Sequence, residues 1–310
     1  MKNISIAIHG GAGTILKSSM TPDKENAYKK ALQNALDVGY QALEQGLTAV
    51  DAVEKAVSVM EDSHLFNAGK GSVFTAEGTH EMDASIMDGK SLNAGAVSSV
   101  SGVKNPVQLS RLVMDESDHV FLAGKGAEEF ARQMNCELRD KEYFYDEFRY
   151  QQWLELKGTD EFKLDHDQKK EGKFGTVGAV ALDEYGNIAA ATSTGGMTNK
   201  KFGRVGDSPM IGAGNYANNE TCAVSCTGSG EFFIRAVVAY DVSCLMEYKG
   251  ISLSDACCEV VQKRLKKIGG DGGLIAIDRS GNIVLEFNTE GMYRGQRNSN
   301  GLNEVAIYTS

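Results

Sequence analysis

The sequence predicts an α+β fold in which antiparallel sheets are covered by helices. Three observations predict it. Apolar segments with strand periodicity cluster at either end of helix pairs, they do not alternate with helices as βαβ units would, and short hairpins flank the helices of the second half. With 310 residues, 42% hydrophobic and 24% charged, the chain can bury a large core in two domains or one large unit.

The first strand is the alternating segment 3–8, which runs into His9-Gly10-Gly11-Ala12-Gly13, a glycine loop. Ala, Leu and Val then recur at helical spacing over 22–45 and 49–62. Strands are expected at 82–87 and 94–100, a helix from Pro106, and another after Gly124-Lys125-Gly126. Between 137 and 173 about half the residues are charged; 146–156, with the single Trp153, suits a helix, and 157–173 reads as a solvated linker. The pattern then switches to a hairpin, 176–182 and 188–193, around Asp183-Glu184-Tyr185-Gly186-Asn187. Helices over about 230–248 and 252–267 follow, then a second hairpin, 274–278 and 283–287.

Charge narrows the partners. The 32 Lys and Arg against 42 Asp and Glu leave a formal −10, the wrong sign for neutralising phosphates or anionic lipid, so neither nucleic acid nor membrane is expected as a partner. The amino-terminal apolar segment is too short for a signal h-region, and no run reaches the ~18 apolar residues of a membrane span. The six cysteines form no CxxC pair. A cytoplasmic protein with reduced, packed thiols is expected.

Several motifs fail. The His9–Gly13 loop resembles an oxyanion loop of α/β-hydrolases, but no GxSxG elbow exists. Gly124-x-Gly126-x-x-Glu129 lacks the third glycine of a dinucleotide loop, and Asp88-Gly89-Lys90-Ser91 lacks the first glycine of a P-loop. All five histidines (His9, His64, His80, His119, His166) precede Thr176, and HExxH is absent. His9, ahead of glycines, reads as a packed turn residue. A hydrolase built here would draw its base from elsewhere.

Gly175-Thr176-Val177-Gly178-Ala179-Val180 is different, because it joins a solvated linker to a buried strand. A threonine hydroxyl needs a base beside it, and the α-amine of the same residue serves if the preceding peptide bond is cut. That amine has a pKa of about 7.7–8.0, near neutral poise without histidine. A threonine that merely starts a strand also fits β propensity. Thr192-Ser193-Thr194-Gly195-Gly196-Met197-Thr198 ends the partner strand, so its hydroxyls can approach Thr176. In Gly203-Arg204-Val205-Gly206-Asp207-Ser208-Pro209, Arg204 can grip a carboxylate bidentately and Asp207 can accept from an ammonium, together a receptor for an amino-acid head. An internal ion pair is the plainer alternative. Cys226-Thr227-Gly228-Ser229-Gly230-Glu231 lies between strand and helix, where main-chain amides make an oxyanion site or where Ser229 or Thr227 caps the helix.

With these residues in hand, the sequence resembles the plant-type L-asparaginases, or isoaspartyl peptidases, of the N-terminal-nucleophile hydrolases. The match runs nearly end to end: Ile8–Gly13, Leu65-Phe66-Asn67-Ala68-Gly69-Lys70-Gly71, 175–180, 192–199, 203–209, 226–231 and Asn288-Thr289-Glu290-Gly291-Met292. The resemblance implies a four-layer αββα sandwich, 1–310, made as a precursor that cleaves itself between Gly175 and Thr176. The products would be an α subunit, 1–175, with a loose charged tail from about 157, and a β subunit, 176–310, assembled as an (αβ)2 heterotetramer.

By motif, the resemblance implies that Thr176 is the nucleophile, Thr194 its hydrogen-bonding neighbour, Thr227 and Gly228 the oxyanion hole, and Asn67 a neighbour of the nucleophile's hydroxyl. Arg204 would bind the substrate α-carboxylate and Asp207 its α-ammonium. No catalytic cofactor is implied, but a structural sodium ion is, on main-chain carbonyls of Met60, Glu61, Ser63, Phe66, Ala68 and Lys70. Ser63-His64 and Lys70 depart from the commoner residues there. The implied substrates are L-asparagine and β-aspartyl dipeptides, cleaved through a β-aspartyl-threonine ester. Related readings are a glycosylasparaginase, which the absent secretion signal and unpaired cysteines fit poorly, a taspase-like protease, and an uncleaved amino-acid-binding relative.

Overall fold

A computed structural model describes residues 2–159 and 175–309. β1 (Ser5–Gly13) carries its extended backbone through the glycines expected to form a loop. α1 (Pro22–Glu44) and α2 (Ala49–Glu61) follow. Thr21 accepts from the Lys24 amide, and Thr48 forms a reciprocal capping box with Asp51, so both starts are fixed by local side-chain chemistry. Next come β2 (Met82–Asp88), β3 (Ala94–Val100), α3 (Pro106–Glu116), β4 (Phe121–Ala123), α4 (Gly124–Gln133), α5 (Lys141–Phe144) and α6 (Glu147–Leu156). Most of the expected linker at 157–173, with His166, lies outside the described residues.

The second half contains β5 (Val177–Leu182), β6 (Ile188–Thr194), β7 (Asn215–Ala217), β8 (Cys222–Gly228), α7 (Gly230–Ala236), α8 (Val238–Lys249), α9 (Leu253–Cys258), β9 (Gly272–Asp278), β10 (Ile283–Phe287), β11 (Gly291–Asn298) and β12 (Asn303–Tyr308). Two expected helices are interrupted. The 230–248 helix breaks at Val237, held in the left-handed region at φ 50°, ψ 50°, and the 252–267 helix passes from α9 into a π-helical stretch, Glu259–Leu265. Neither break carries the Gly or Pro that would have announced it.

Eight strands form one sheet in the order β12-β11-β1-β5-β6-β2-β3-β4, and four form another, β10-β9-β8-β7. Every pairing is antiparallel except β3 with β4. Strands from before and after residue 175 interleave in the larger sheet, so both parts of the chain share one core.

Strand alternation sorts the side chains into layers. Ile6, Ile8, Val177, Ala179 and Ala191 pack with Leu32, Leu36, Val53 and Val57 of α1 and α2. Their neighbours Ala7, Val180 and Ala190 pack instead with Ala223, Ile275 and Ile277 of the second sheet. The opposite face of that sheet, with Val224, Leu274 and Ala276, packs with Val242 and Cys257 of α8 and α9 and with Val260. Burial of each Val, Leu or Ile side chain among these contributes about 1.5–3 kcal/mol. No described helix is long and apolar enough to cross a membrane. All six cysteines are free thiols; Cys222, Cys226 and Cys257 are buried, but Cys258 is exposed rather than packed.

Candidate active site

Thr176 enters β5 at one end of the gap between the sheets. Val177 pairs with Ser193, so the residues one step outward, Thr176 and Thr194, face each other across the strand ends. Both are buried. The Thr176 hydroxyl donates to Thr194 Oγ1 at 3.4 Å. Thr194 in turn donates to the Gly175 carbonyl at 2.6 Å and accepts from the Gly196 amide at 3.0 Å. Asn67 Nδ2 donates to the same Gly175 carbonyl at 3.4 Å and to the Gly196 carbonyl at 2.7 Å, and its Oδ1 accepts from the Val73 amide at 3.0 Å. The carbonyl of the Gly175–Thr176 peptide therefore faces two side-chain donors while the adjacent residue's hydroxyl lies beside them. Two donors on one carbonyl oxygen stabilise negative charge that develops there.

The charged cluster is built on loops. Arg204 grips Glu231 with Nε at 2.8 Å and Nη2 at 2.9 Å, so the guanidinium does make an internal ion pair, but with Glu231 rather than Asp207. Asp207 is buried and one of its oxygens, Oδ2, has no hydrogen-bond partner. Burial pushes its carboxyl up to about 7, against the pull of Arg204. A Cβ on Gly230 would come 2.8 Å from Asp207 Oδ1 and 3.1 Å from Arg204 Nη2, so the start of α7 abuts both groups. Thr227 and Gly228 end β8 opposite Gly273 and Gly272. Alternation from Ala223 turns Thr227 toward the inter-sheet gap that Thr176 borders. Neither Thr227 nor Ser229 caps α7 through its side chain; the Ser229 hydroxyl donates to Asp271 instead.

The Asparaginase family model matches residues 2–307. The chain is 53% identical over 299 residues to the isoaspartyl peptidase of Salmonella typhimurium, covering 95% of each protein. It is 54% identical over 294 residues to that of Escherichia coli (93% of this chain, 91% of the relative). It is 43% identical over 290 residues to the isoaspartyl peptidase/L-asparaginase of Rattus norvegicus (94% and 85%). The chain belongs to the asparaginase family.

In this family member the loop expected to hold sodium is tightly wound. A Cβ on Gly69 would lie 2.4 Å from the Glu61 carbonyl oxygen, and one on Gly71 would lie 2.1 Å from that of Phe66, so only glycines admit these oxygens. No group of three or more His, Cys, Asp or Glu among the described residues is arranged to hold a metal. An ion here would rest on main-chain oxygens, whose hard chemistry suits an alkali cation.

Sequence reasoning missed four side chains around the site. Glu231 closed a quoted motif without a role, yet it holds Arg204. Asp83, paired in register with Thr194, is fully buried with Oδ1 on the Ser99 amide and Oδ2 unpartnered. Lys200 is buried and donates to the Glu81 carbonyl at 2.9 Å. His9 is no turn residue: it lies within β1, fully buried, with Nε2 2.9 Å from Ser225 Oγ. A charged residue inside an apolar strand pattern was the available signal for Asp83; nothing local marked Glu231 or His9.

Proposed function

We propose that this chain is a precursor that cuts itself between Gly175 and Thr176, into 1–175 and 176–310, and then works as a threonine-type N-terminal-nucleophile hydrolase. It is an isoaspartyl peptidase/L-asparaginase by kinship, a hydrolase of isoaspartyl peptides and L-asparagine. The carrying observation is the Gly175 carbonyl, with donors from Thr194 and Asn67 and the Thr176 hydroxyl beside it. Attack of Thr176 Oγ on the Gly175 carbonyl carbon, with its oxygen held by those donors, moves the acyl group from nitrogen to oxygen. Water then hydrolyses the ester, leaving a Gly175 carboxylate and a free Thr176 amine.

In the mature enzyme that amine deprotonates the Thr176 hydroxyl, which attacks the substrate's β-carbonyl. Amides at Thr227 and Gly228 stabilise the oxyanion, ammonia or the leaving amino acid departs with a proton, and water releases aspartate from the β-aspartyl-threonine ester. Arg204 takes the α-carboxylate and Asp207 the α-ammonium, a match supported by the buried, unpartnered Asp207 oxygen. Both substrates share that head.

The layered packing supports a four-layer αββα sandwich as the architecture. The remaining parts of the reading are an (αβ)2 heterotetramer, a structural sodium ion on the carbonyls of Met60, Glu61, Ser63, Phe66, Ala68 and Lys70, and a cytoplasmic setting that suits the free thiols. Intact-mass analysis tests the central step. Two fragments are expected, the second beginning Thr176-Val177-Gly178, with hydrolysis of β-aspartyl-leucine by the cut form; a persistent single chain would overturn it.

A further inference from the structure

We propose that His9, Ser225 and Thr192 form a polar clamp between the two sheets that sets the gap between the nucleophile and the oxyanion donors, which makes the three of them positioning residues for both self-cleavage and turnover. The inference rests on the reading of Thr176 as nucleophile given above.

All three side chains are fully buried. His9 Nε2 lies 2.9 Å from Ser225 Oγ, Ser225 Oγ lies 2.7 Å from Thr192 Oγ1, and Thr192 reaches the Gly214 carbonyl at 3.2 Å. His9 belongs to β1 and Thr192 to β6, the strands on either side of β5, and both are in register with Gly178 of β5. Ser225 comes from β8 of the opposite sheet. Its hydroxyl sits directly over Gly178, because a Cβ there would lie 2.0 Å from Ser225 Oγ and 2.4 Å from His9 Nε2. The absent side chain at Gly178 is what lets the second sheet descend onto β5 and bridge its two neighbours.

The position along the strands gives the clamp its function. Gly178 is two residues from Thr176 on one strand, and Ser225 is two residues from Thr227 on the other. Thr192 is likewise two residues from Thr194. One full pleat repeat, about 6.6–6.8 Å, separates the clamp from each of these groups, so the sheet spacing fixed at Ser225 is carried outward to the site. At the β2–β7 edge Asn215 Nδ2 donates to the Ser85 carbonyl at 3.1 Å, and beside the clamp the sheets meet through Ala7, Val180, Ala190, Ala223 and Ile275. Such apolar contact is non-directional and tolerates sliding, whereas hydrogen bonds hold heavy atoms within a few tenths of an ångström. His9 is suited to this as a neutral group: burial drops its pKa to about 3, with the main chain of Thr176 beside it pulling the other way.

The experiment compares Thr192→Val, which keeps the volume and removes the hydroxyl, with Thr192→Ser, which keeps the hydroxyl, and adds Ser225→Ala as an independent break. Self-cleavage is followed by intact mass, and kcat and KM for β-aspartyl-leucine are measured on fully cut protein beside the thermal midpoint. Thr192→Val and Ser225→Ala should slow cleavage and lower kcat about ten- to a hundredfold, with KM within twofold, and Thr192→Ser should rescue both rates. Failure of the first two variants ever to cut while Thr192→Ser cuts would support the clamp as well. Cut Thr192→Val or Ser225→Ala protein with wild-type kcat, even at a lower midpoint, would overturn it and leave the nucleophile reading standing. A wild-type chain that stays whole, or a Thr176→Ala variant that remains active, would overturn both.

Discussion

The two halves of the site are built from opposite materials. The hydrogen bonds described around Gly175 and Thr176 join neutral groups, hydroxyl, carboxamide and main chain, at the ends of paired strands. Around Arg204 and Asp207 the groups are charged: Arg204, on a glycine-rich loop, makes a bidentate ion pair with Glu231 of α7, and Asp207 is a buried carboxyl beside it. The proposed nucleophile half must place atoms for bond making, and strand register does that without mobile charge. The proposed recognition half must tell a zwitterionic amino-acid head from water, and a guanidinium beside a buried carboxylate suits that.

Four predictions press on this division. Thr176→Ala removes the proposed nucleophile and should abolish cleavage and lower hydrolysis at least about a thousandfold, read by intact mass and by product release from β-aspartyl dipeptides. Thr194→Val deletes a neutral donor from the Gly175 carbonyl. Cleavage should slow about a hundred- to a thousandfold, and Thr194→Ser should restore most of it in the same time course. Arg204→Lys, on the charged side, should cut normally but raise KM about ten- to a hundredfold, because the bidentate fork and its charged hydrogen bonds are lost. A variant that failed to cut would show that the two halves are not separable.

The smallest effect is a pH step. In its proposed role Asp207 can accept the substrate ammonium only as a carboxylate, and burial pushes its carboxyl up to about 7. As pH falls through about 7 the group takes up a proton, so KM for L-asparagine should rise, toward tenfold per pH unit, with kcat following the Thr176 amine separately. Asp207→Asn should remove the step in KM and leave the one in kcat.

Much of the scaffold was legible locally. The 3.6-residue spacing marked α1 and α2, and alternation with a glycine turn marked the β5–β6 hairpin. β11 and β12 were missed because both alternate weakly and leave side chains partly exposed, β12 as the sheet edge and β11 beside it. The break at Val237 was missed because a β-branched residue with positive φ is imposed by packing, against its own preference.

By itself the sequence determined the strand and helix periods, the acidic surface and the residue types able to do threonine chemistry, because each depends on neighbours within a few positions. Tertiary structure alone decided that Glu231 holds Arg204, that two donors meet on Gly175, and that His9 reaches Ser225 across 216 residues of chain. No local pattern carries that last contact. It exists because β1, β5 and β6 align in one sheet, and because Gly178 leaves the space into which β8 of the other sheet can descend.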